Sequence, residues 1–170
     1  MREIGSDEVF RLRDCLLALA EHHNRVSVNY KGHYPKTPVG QTLKRFAEDI
    51  DGKKSHIYVI ESDNKIIGFC KINIDGTSGT IEYLIVLEEY RGQGYGAVLM
   101  DKAMSSFSDA GVSVIDVKVA DGNSAVSLYE KYGFRMNAHI LRLCTNEPCC
   151  GTGCKNRRNN VQINKSNNGR

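Results

Sequence analysis

The segment Tyr90-Arg91-Gly92-Gln93-Gly94-Tyr95-Gly96 is the part of this chain best built to hold an anion. Three glycines within five residues allow a sharp bend and let backbone approach a ligand with no side chain between them. Their N–H groups, followed by the free N–H groups that open a helix, converge on one place, and the helix dipole adds to the attraction. Arg91 brings a full positive charge, so a phosphate or pyrophosphate is the natural guest. A Walker loop would place Lys-Ser or Lys-Thr after its last glycine, where Ala97-Val98 stands. The looser dinucleotide fingerprint is met by Gly92, Gly94 and Ala97, with Asp116 and Asp121 about 20 residues onward as candidate ribose-binding acids. That fingerprint usually opens its domain, whereas this loop follows three strand-like segments. The remaining pattern is Arg-x-x-Gly-x-Gly, carried by Arg91, Gly94 and Gly96.

Glu82 is the second candidate for chemistry. It is the sole charged side chain in the run Thr80 to Leu87, whose near-continuous apolar character implies a strand covered on both faces. A carboxylate there is costly unless it is paired or near water, and desolvation would raise its pKa toward the range of a general base. An ion pair or an exposed edge is the structural alternative.

The elements that must position these residues follow from periodicity. Ser6 is placed to cap a helix whose first turn holds Asp7 and Glu8, with Val9, Leu12, Leu16 and Leu19 as its apolar stripe. Residues 24–38 lack periodicity and contain Gly32, Pro35 and Pro38, which predicts a loop, and Thr37-Pro38 opens a second helix with a stripe of Val39, Leu43, Phe46 and Ile50. Strands are predicted over 56–61, 66–74 and 80–87, then a helix over 96–108 closed by Gly111, and a strand over 113–120. A short helix ends at Gly133, and residues 134–143 form an edge strand. The order βααβββαβαβ, antiparallel first and βαβ afterwards, predicts a mixed sheet flanked by helices.

A second motif, Asp121-Gly-Asn-Ser-Ala-Val-Ser-Leu-Tyr-Glu-Lys-Tyr-Gly-Phe134, joins the glycine loop. Together the two resemble the GNAT superfamily of acetyl-CoA-dependent N-acyltransferases, over roughly residues 1 to 144 and most closely from Glu82 to Phe134. The family's asparagine lies seven residues before the helix tyrosine; Gly122 holds that place here and Asn123 follows it. Ala125, Leu128, Tyr129, Gly133 and Phe134 fall in register. The resemblance implies an α/β (α+β) fold with a mixed, mostly antiparallel central sheet. It implies acetyl-CoA as co-substrate, anchored at Arg91, Gly92, Gln93, Gly94, Tyr95 and Gly96, with the backbone of Leu84, Ile85 and Val86 aligning the pantetheine arm and Asn123 nearby. Glu82 is then the base, often acting through water, and Tyr129 the acid that protonates the thiolate.

Transfer of an acetyl group to an amine sets a definite problem. An amine with a pKa near ~10.4 costs roughly 4–5 kcal/mol to deprotonate at neutral pH. The site must remove a proton, stabilise an oxyanion and supply an acid. No cysteine lies in either motif, which favours direct transfer in a ternary complex. The resemblance also implies that residues 24–38 wall the acceptor site, so Tyr30, His33 and Tyr34 are candidate substrate residues. With Arg25, Lys31 and Lys36 and no acid, that wall suits an amine carrying a carboxylate or phosphate better than a polyamine. His22 and His33 are alternative bases. The acceptor is expected to be a primary amine of a small molecule or peptide. The competing readings are a non-catalytic acyl-CoA sensor and a dinucleotide-binding oxidoreductase.

Composition bounds the rest. The 170 residues suit one domain over 1–144, followed by a Cys-rich, basic, Asn-rich segment over 145–170 expected to be disordered. Residues 155–170 hold five basic groups and no acid, so the net charge of +3 resides in the tail and the body is slightly acidic. Nucleic acid is therefore not an expected partner of the fold. No apolar run is long enough for a membrane and no signal pattern opens the chain, so a cytoplasmic protein is expected. A homodimer is left open. Cys15 and Cys70 fall in apolar elements and are expected to be buried. Cys144, Cys149, Cys150 and Cys154 lack the paired spacing of a zinc knuckle, and no metal is assigned.

Overall fold

The computed structural model describes residues 1–140. The sheet has five strands in the order β1 (Arg2–Glu3), β2 (Ser55–Ser62), β3 (Lys65–Asp75), β4 (Ser78–Val86) and β5 (Val114–Val117). The first four pair antiparallel and β5 pairs parallel to β4. This is the mixed, mostly antiparallel sheet expected from the sequence. The β2–β3 hairpin turns through Asp63 and Asn64, both at positive φ (49° and 62°), the conformation that lets a two-residue turn follow the twist of its strands. The parallel β4–β5 pair requires a crossover, supplied by α3 (Tyr95–Asp109).

Helices cover both faces, which is why the central strands are apolar throughout. On one face the 3-10 turn Ser6–Leu12, α1 (Arg13–Val26) and α2 (Val39–Asp51) pack Leu12, Leu16, Leu43 and Phe46 against Ile57, Val59, Phe69 and Ile85. On the other, α3 and α4 (Val126–Lys131) pack Leu99, Met100, Phe107 and Tyr129 against Ile67, Cys70, Ile72 and Ile81. Neighbouring residues of β3, such as Phe69 and Cys70, serve opposite cores because side chains alternate along a strand. Cys15 and Cys70 are free and buried as expected, and burial pushes each thiol up to about 12.

Several local expectations are corrected. Ser6 does not cap a helix; Gly5 holds that position and Ser6–Leu12 is a 3-10 segment leading into α1. Residues 24–26 complete α1, so the loop begins at Ser27. The strand predicted over 113–120 is only Val114–Val117. Four residues past its end, Asp121 is bonded to the start of the loop after α1, at Ser27, Val28 and Asn29. Residues 134–140 form no strand. The remainder of that predicted strand, the domain end at 144, the cysteine cluster and the tail lie outside the described residues. No helix among the described residues is long and apolar enough to cross a membrane.

Candidate active site

The site forms where β4 and β5 separate. Their pairing runs only from Ser78 to Ile81 on β4 and from Val114 to Val117 on β5. Beyond it, two cavities open along β4. One, of about 250 Å³, is lined by Leu84, Ile85, Val86, Arg91, Gly92, Tyr95, Gly96 and Asn123, with Tyr90 and His22 beside them. The other, of about 260 Å³, is lined by Glu82 and Tyr129 with Tyr34, Lys36, His23 and apolar residues of α1 and α2. Leu19, Leu84, Asn123 and Ala125 border both, so the cavities adjoin.

The first cavity gathers eight of the ten residues expected to hold the coenzyme. Gly94, at φ +86°, sits at the N-cap of α3, a conformation that disfavours any residue with a Cβ. Gln93 turns back to donate to the carbonyl of Glu89 at 3.3 Å. The first N–H groups of α3 have no acceptor four residues earlier, which leaves them directed at the loop's concavity. Arg91 Nε donates to Val86 O at 2.9 Å, tying the loop to the end of β4, while Nη1 lies 3.4 Å from His22 Nδ1. Asn123 Oδ1 accepts from the N–H of Ala125 at 3.0 Å and so shapes the start of α4.

Glu82 stands at a β-bulge. Lys71 pairs with Tyr83 and Ile72 with Ile81, leaving Glu82 as the extra residue. A bulge re-aims a side chain, and here it turns Glu82 toward the α2 face. There Arg45 Nη1 donates to Oε1 at 2.5 Å, Lys71 Nζ donates to Oε2, and Asn73 Nδ2 donates to Oε2 at 3.3 Å. Lys71 is fully buried, reaches Asp49 and Asn73 at 2.9 Å, and lies over the Phe46 ring. Burial works to raise the Glu82 pKa, but Lys71 and Arg45 outweigh it and the net shift is downward. The sequence expectation of a raised pKa is thus corrected: the carboxylate is ionised and paired.

Tyr129 is buried against Phe134, with ring centroids 5.8 Å apart, and burial pushes its hydroxyl above the ordinary tyrosine range. Tyr132, three residues onward, is committed elsewhere: its hydroxyl donates to Asp101 at 2.6 Å and docks α4 on α3. Of the predicted acceptor residues, Tyr34 lines the cavity, held by Asn24 through both its N–H (2.8 Å) and its carbonyl (2.7 Å). Tyr30 and His33 meet edge-on at 6.0 Å in the same loop, outside the cavity wall.

Three residues escaped the sequence reading, and a fourth, Asp121, has a role other than the ribose-binding one considered there. Lys71 is the sole charge in the apolar run 66–74, the same signal that marked Glu82 on the next strand. Arg45 lies on the polar side of α2 and nothing distinguished it. His23 lines the acceptor cavity edge-on to Tyr34 at 4.9 Å, and burial, then His22 and Lys36, push its pKa down, so it is neutral near pH 7. Asp121 accepts from Ser27 Oγ (2.7 Å), the N–H groups of Val28 and Asn29 (both 3.0 Å) and Asn29 Nδ2 (3.2 Å). Those bonds occupy the carboxylate that a ribose would need in the dinucleotide reading. Gly122 beside it is required, since a Cβ there would lie 2.3 Å from the carbonyl of Val26.

Residues 53–136 match the model of the acetyltransferase (GNAT) domain. Over 144 residues the chain is 31% identical to a Chlorobaculum tepidum protein described as an uncharacterized N-acetyltransferase, covering 81% of this chain and 86% of that one. Over 74 residues it is 36% identical to a ribosomal-protein alanine N-acetyltransferase of Haemophilus influenzae, which covers 42% of this chain and 49%, about half, of that enzyme. A Trypanosoma brucei acetyltransferase has the same fold, with a TM-score of 0.62 at 19% identity over 84% of this chain and 96% of that one. An aminoglycoside N-acetyltransferase solved with CoA superposes at 0.64 with 14% identity, over 84% and 91% of the two chains.

Proposed function

The chain belongs to the GNAT family of acetyl-CoA-dependent N-acetyltransferases, and on that footing we propose that it passes an acetyl group directly to a primary amine of a small molecule or peptide. One observation carries this reading: a cleft with an anion-binding loop adjoins a second cavity that holds a carboxylate and a tyrosine.

The first cleft fits acetyl-CoA, which supplies the activated acyl group. Its pyrophosphate suits the turn from Arg91 to Gly96 and the N-terminus of α3, and the edge of β4 at Leu84 to Val86, released from β5, offers strand-like hydrogen bonds to an amide-bearing arm. On the acceptor side Glu82 is ionised throughout the neutral range. It orients the amine or the water that carries a proton away. Lys71 and Arg45 behind it disfavour a second positive charge, which lowers the cost of deprotonating an ammonium. His23 is a neutral acceptor on the same wall. Tyr129 retains its proton at Oη and is available to a departing sulfur. A cytoplasmic location belongs to the same proposal, since free thiols at Cys15 and Cys70 suit a reducing compartment.

The test is thiol release from acetyl-CoA across amino acids, peptides, polyamines and amino sugars, with the product weighed by mass spectrometry. Acceptor-dependent release of thiol with an acetylated amine is expected. Coenzyme binding by calorimetry with no acetylated product from any acceptor would replace this reading with the sensor.

A further inference from the structure

The acceptor cavity also constrains what enters it, given the acetyl-transfer reading above. Its volume, about 260 Å³, lies just below the ~300–1,000 Å³ of pockets that enclose drug-sized ligands. Leu16, Leu19, Ala20 and Val39 form an apolar wall from α1 and α2. Among the described residues, Glu82 is the one carboxylate in the lining. Its oxygens already accept from Arg45, Lys71 and Asn73. The basic side chains in the wall are Lys36, Lys118 and His23, and Lys36 lies over the rings of Tyr30 and Tyr34 at 5.6 and 4.9 Å.

A cation taken out of water needs a carboxylate of its own. An acceptor with several ammonium groups would find one acid, already bonded to two cations, and would bring its further charges toward Lys36 or Lys118. A single ammonium faces a lesser problem, because the same positive surroundings favour loss of its proton, after which it enters as a neutral nucleophile. The apolar wall then binds the rest of the molecule by surface burial. We propose that the acceptor is a compact monoamine with an apolar body, and that polyamines and aminosugars are excluded. The fold shared with an aminoglycoside N-acetyltransferase does not extend to the acceptor. Two sources supply this chemistry: a free small amine, and the α-amine of a peptide that begins with an apolar residue.

The full chain decides it with acetyl-CoA and six acceptors at matched concentrations: phenethylamine, phenylalanine, an alanine-first tripeptide, ethanolamine, spermidine and neamine. Products are identified by mass spectrometry and coenzyme binding is followed by calorimetry. One or more of the first three should exceed spermidine, neamine and ethanolamine at least tenfold in kcat/KM, and the small amines against the tripeptide then tell the source. Equal or faster acetylation of spermidine or neamine overturns the proposal and leaves acetyl transfer standing. Ethanolamine as the best acceptor overturns the apolar body. Acetyl-CoA binding with no acetylated product from any of the six overturns this proposal alone; the transfer reading falls only if the wider panel above also yields no acetylated amine.

Discussion

The two cavities that meet beside Leu84 are built by different means. The proposed coenzyme side relies on backbone: a glycine turn, the first N–H groups of α3, and the edge of β4 where β5 has left it. The proposed acceptor side relies on side chains from α1, α2, β4, the loop after α1, the end of β5 with the segment that follows it, and α4. A backbone site leaves its imprint on consecutive residues, because only certain residue types permit the conformation. A side-chain site is assembled from positions far apart in sequence and changes identity by single substitutions. Different acceptors can therefore be served on one constant coenzyme platform.

The sharpest way to probe the boundary is Tyr129, which lines the cavity of Glu82 on the helix that opens at Ala125, a residue common to both cavities. Tyr129→Phe keeps the ring that packs on Phe134 and removes only the hydroxyl. Loss of a positioned general acid is expected to lower kcat by roughly 10²–10⁴-fold, with acetyl-CoA affinity by calorimetry within twofold of the parent. Retention of full turnover would remove Tyr129 from the chemistry and assign it to the core.

Lys71→Met breaks the acceptor side from behind. It removes a fully buried ammonium and leaves Glu82 and Asp49, both partly buried, without their shared cation. Loss of one partner from such a network is expected to cost about 3–5 kcal/mol of stability, read as a lower denaturant midpoint. Pairing it with Glu82→Gln should recover part of that loss. Coenzyme affinity of the folded variant should hold, because Lys71 serves the α1–α2 face and the coenzyme cleft does not include it. A parallel loss of coenzyme affinity would break the division between the two sides.

Gly94→Ala attacks the other half. A side chain at φ +86° costs about 1–2 kcal/mol; the free loop of the variant is expected to relax and to regain the turn on binding, so acetyl-CoA should bind roughly 5- to 30-fold more weakly at 1.4 kcal/mol per decade. The acceptor preference, taken as a ratio of kcat/KM values at saturating coenzyme, should stay constant.

The same division explains what could be read in the sequence. Arg91, Gly94 and Gly96 announce an anion site in a turn that holds Gly92 and Gly94 at positive φ, and Tyr129 falls in register with the motif of the following helix. The sheet order was legible because β2, β3 and β4 are apolar runs separated by turn residues. The electrostatics of Glu82 were misread, since its pKa depends on Lys71 and Arg45, 11 and 37 positions away. Desolvation alone predicts a rise; two cations at contact reverse it. The shortened β5 was likewise beyond local pattern, because Val119 and Ala120 look like strand, whereas the ladder ends at Val117 and Asp121 is bonded to residues 94, 93 and 92 positions away.

Asp121 offers the smallest and most discriminating test. It fastens the first residues of the acceptor loop, at Ser27, Val28 and Asn29, to the segment that leads into the coenzyme-facing Asn123. Asp121→Asn should cost about 1 kcal/mol, the lower range for bonds to a charged group at a part-exposed position, and should speed hydrogen exchange at the amides of 28 and 29. The pH dependence gives its sign. The hydroxyl of Ser27 and the N–H of Asn29 lower the folded pKa of Asp121 below its ordinary 3.8. Its contribution is therefore complete above that value and fades as pH falls through the lowered one. His23 acts in a separate window: its folded pKa is lowered from 6.5, so the fold keeps its full contribution above 6.5 and loses it as pH falls through the lowered value. Melts of the parent and Asp121→Asn should thus run parallel from pH 8 to about 5, both falling as the histidine protonates, and converge only in acid below the ordinary aspartate range. Convergence already near pH 6 would mean that the histidine, and not the carboxylate, holds the acceptor loop to the coenzyme side.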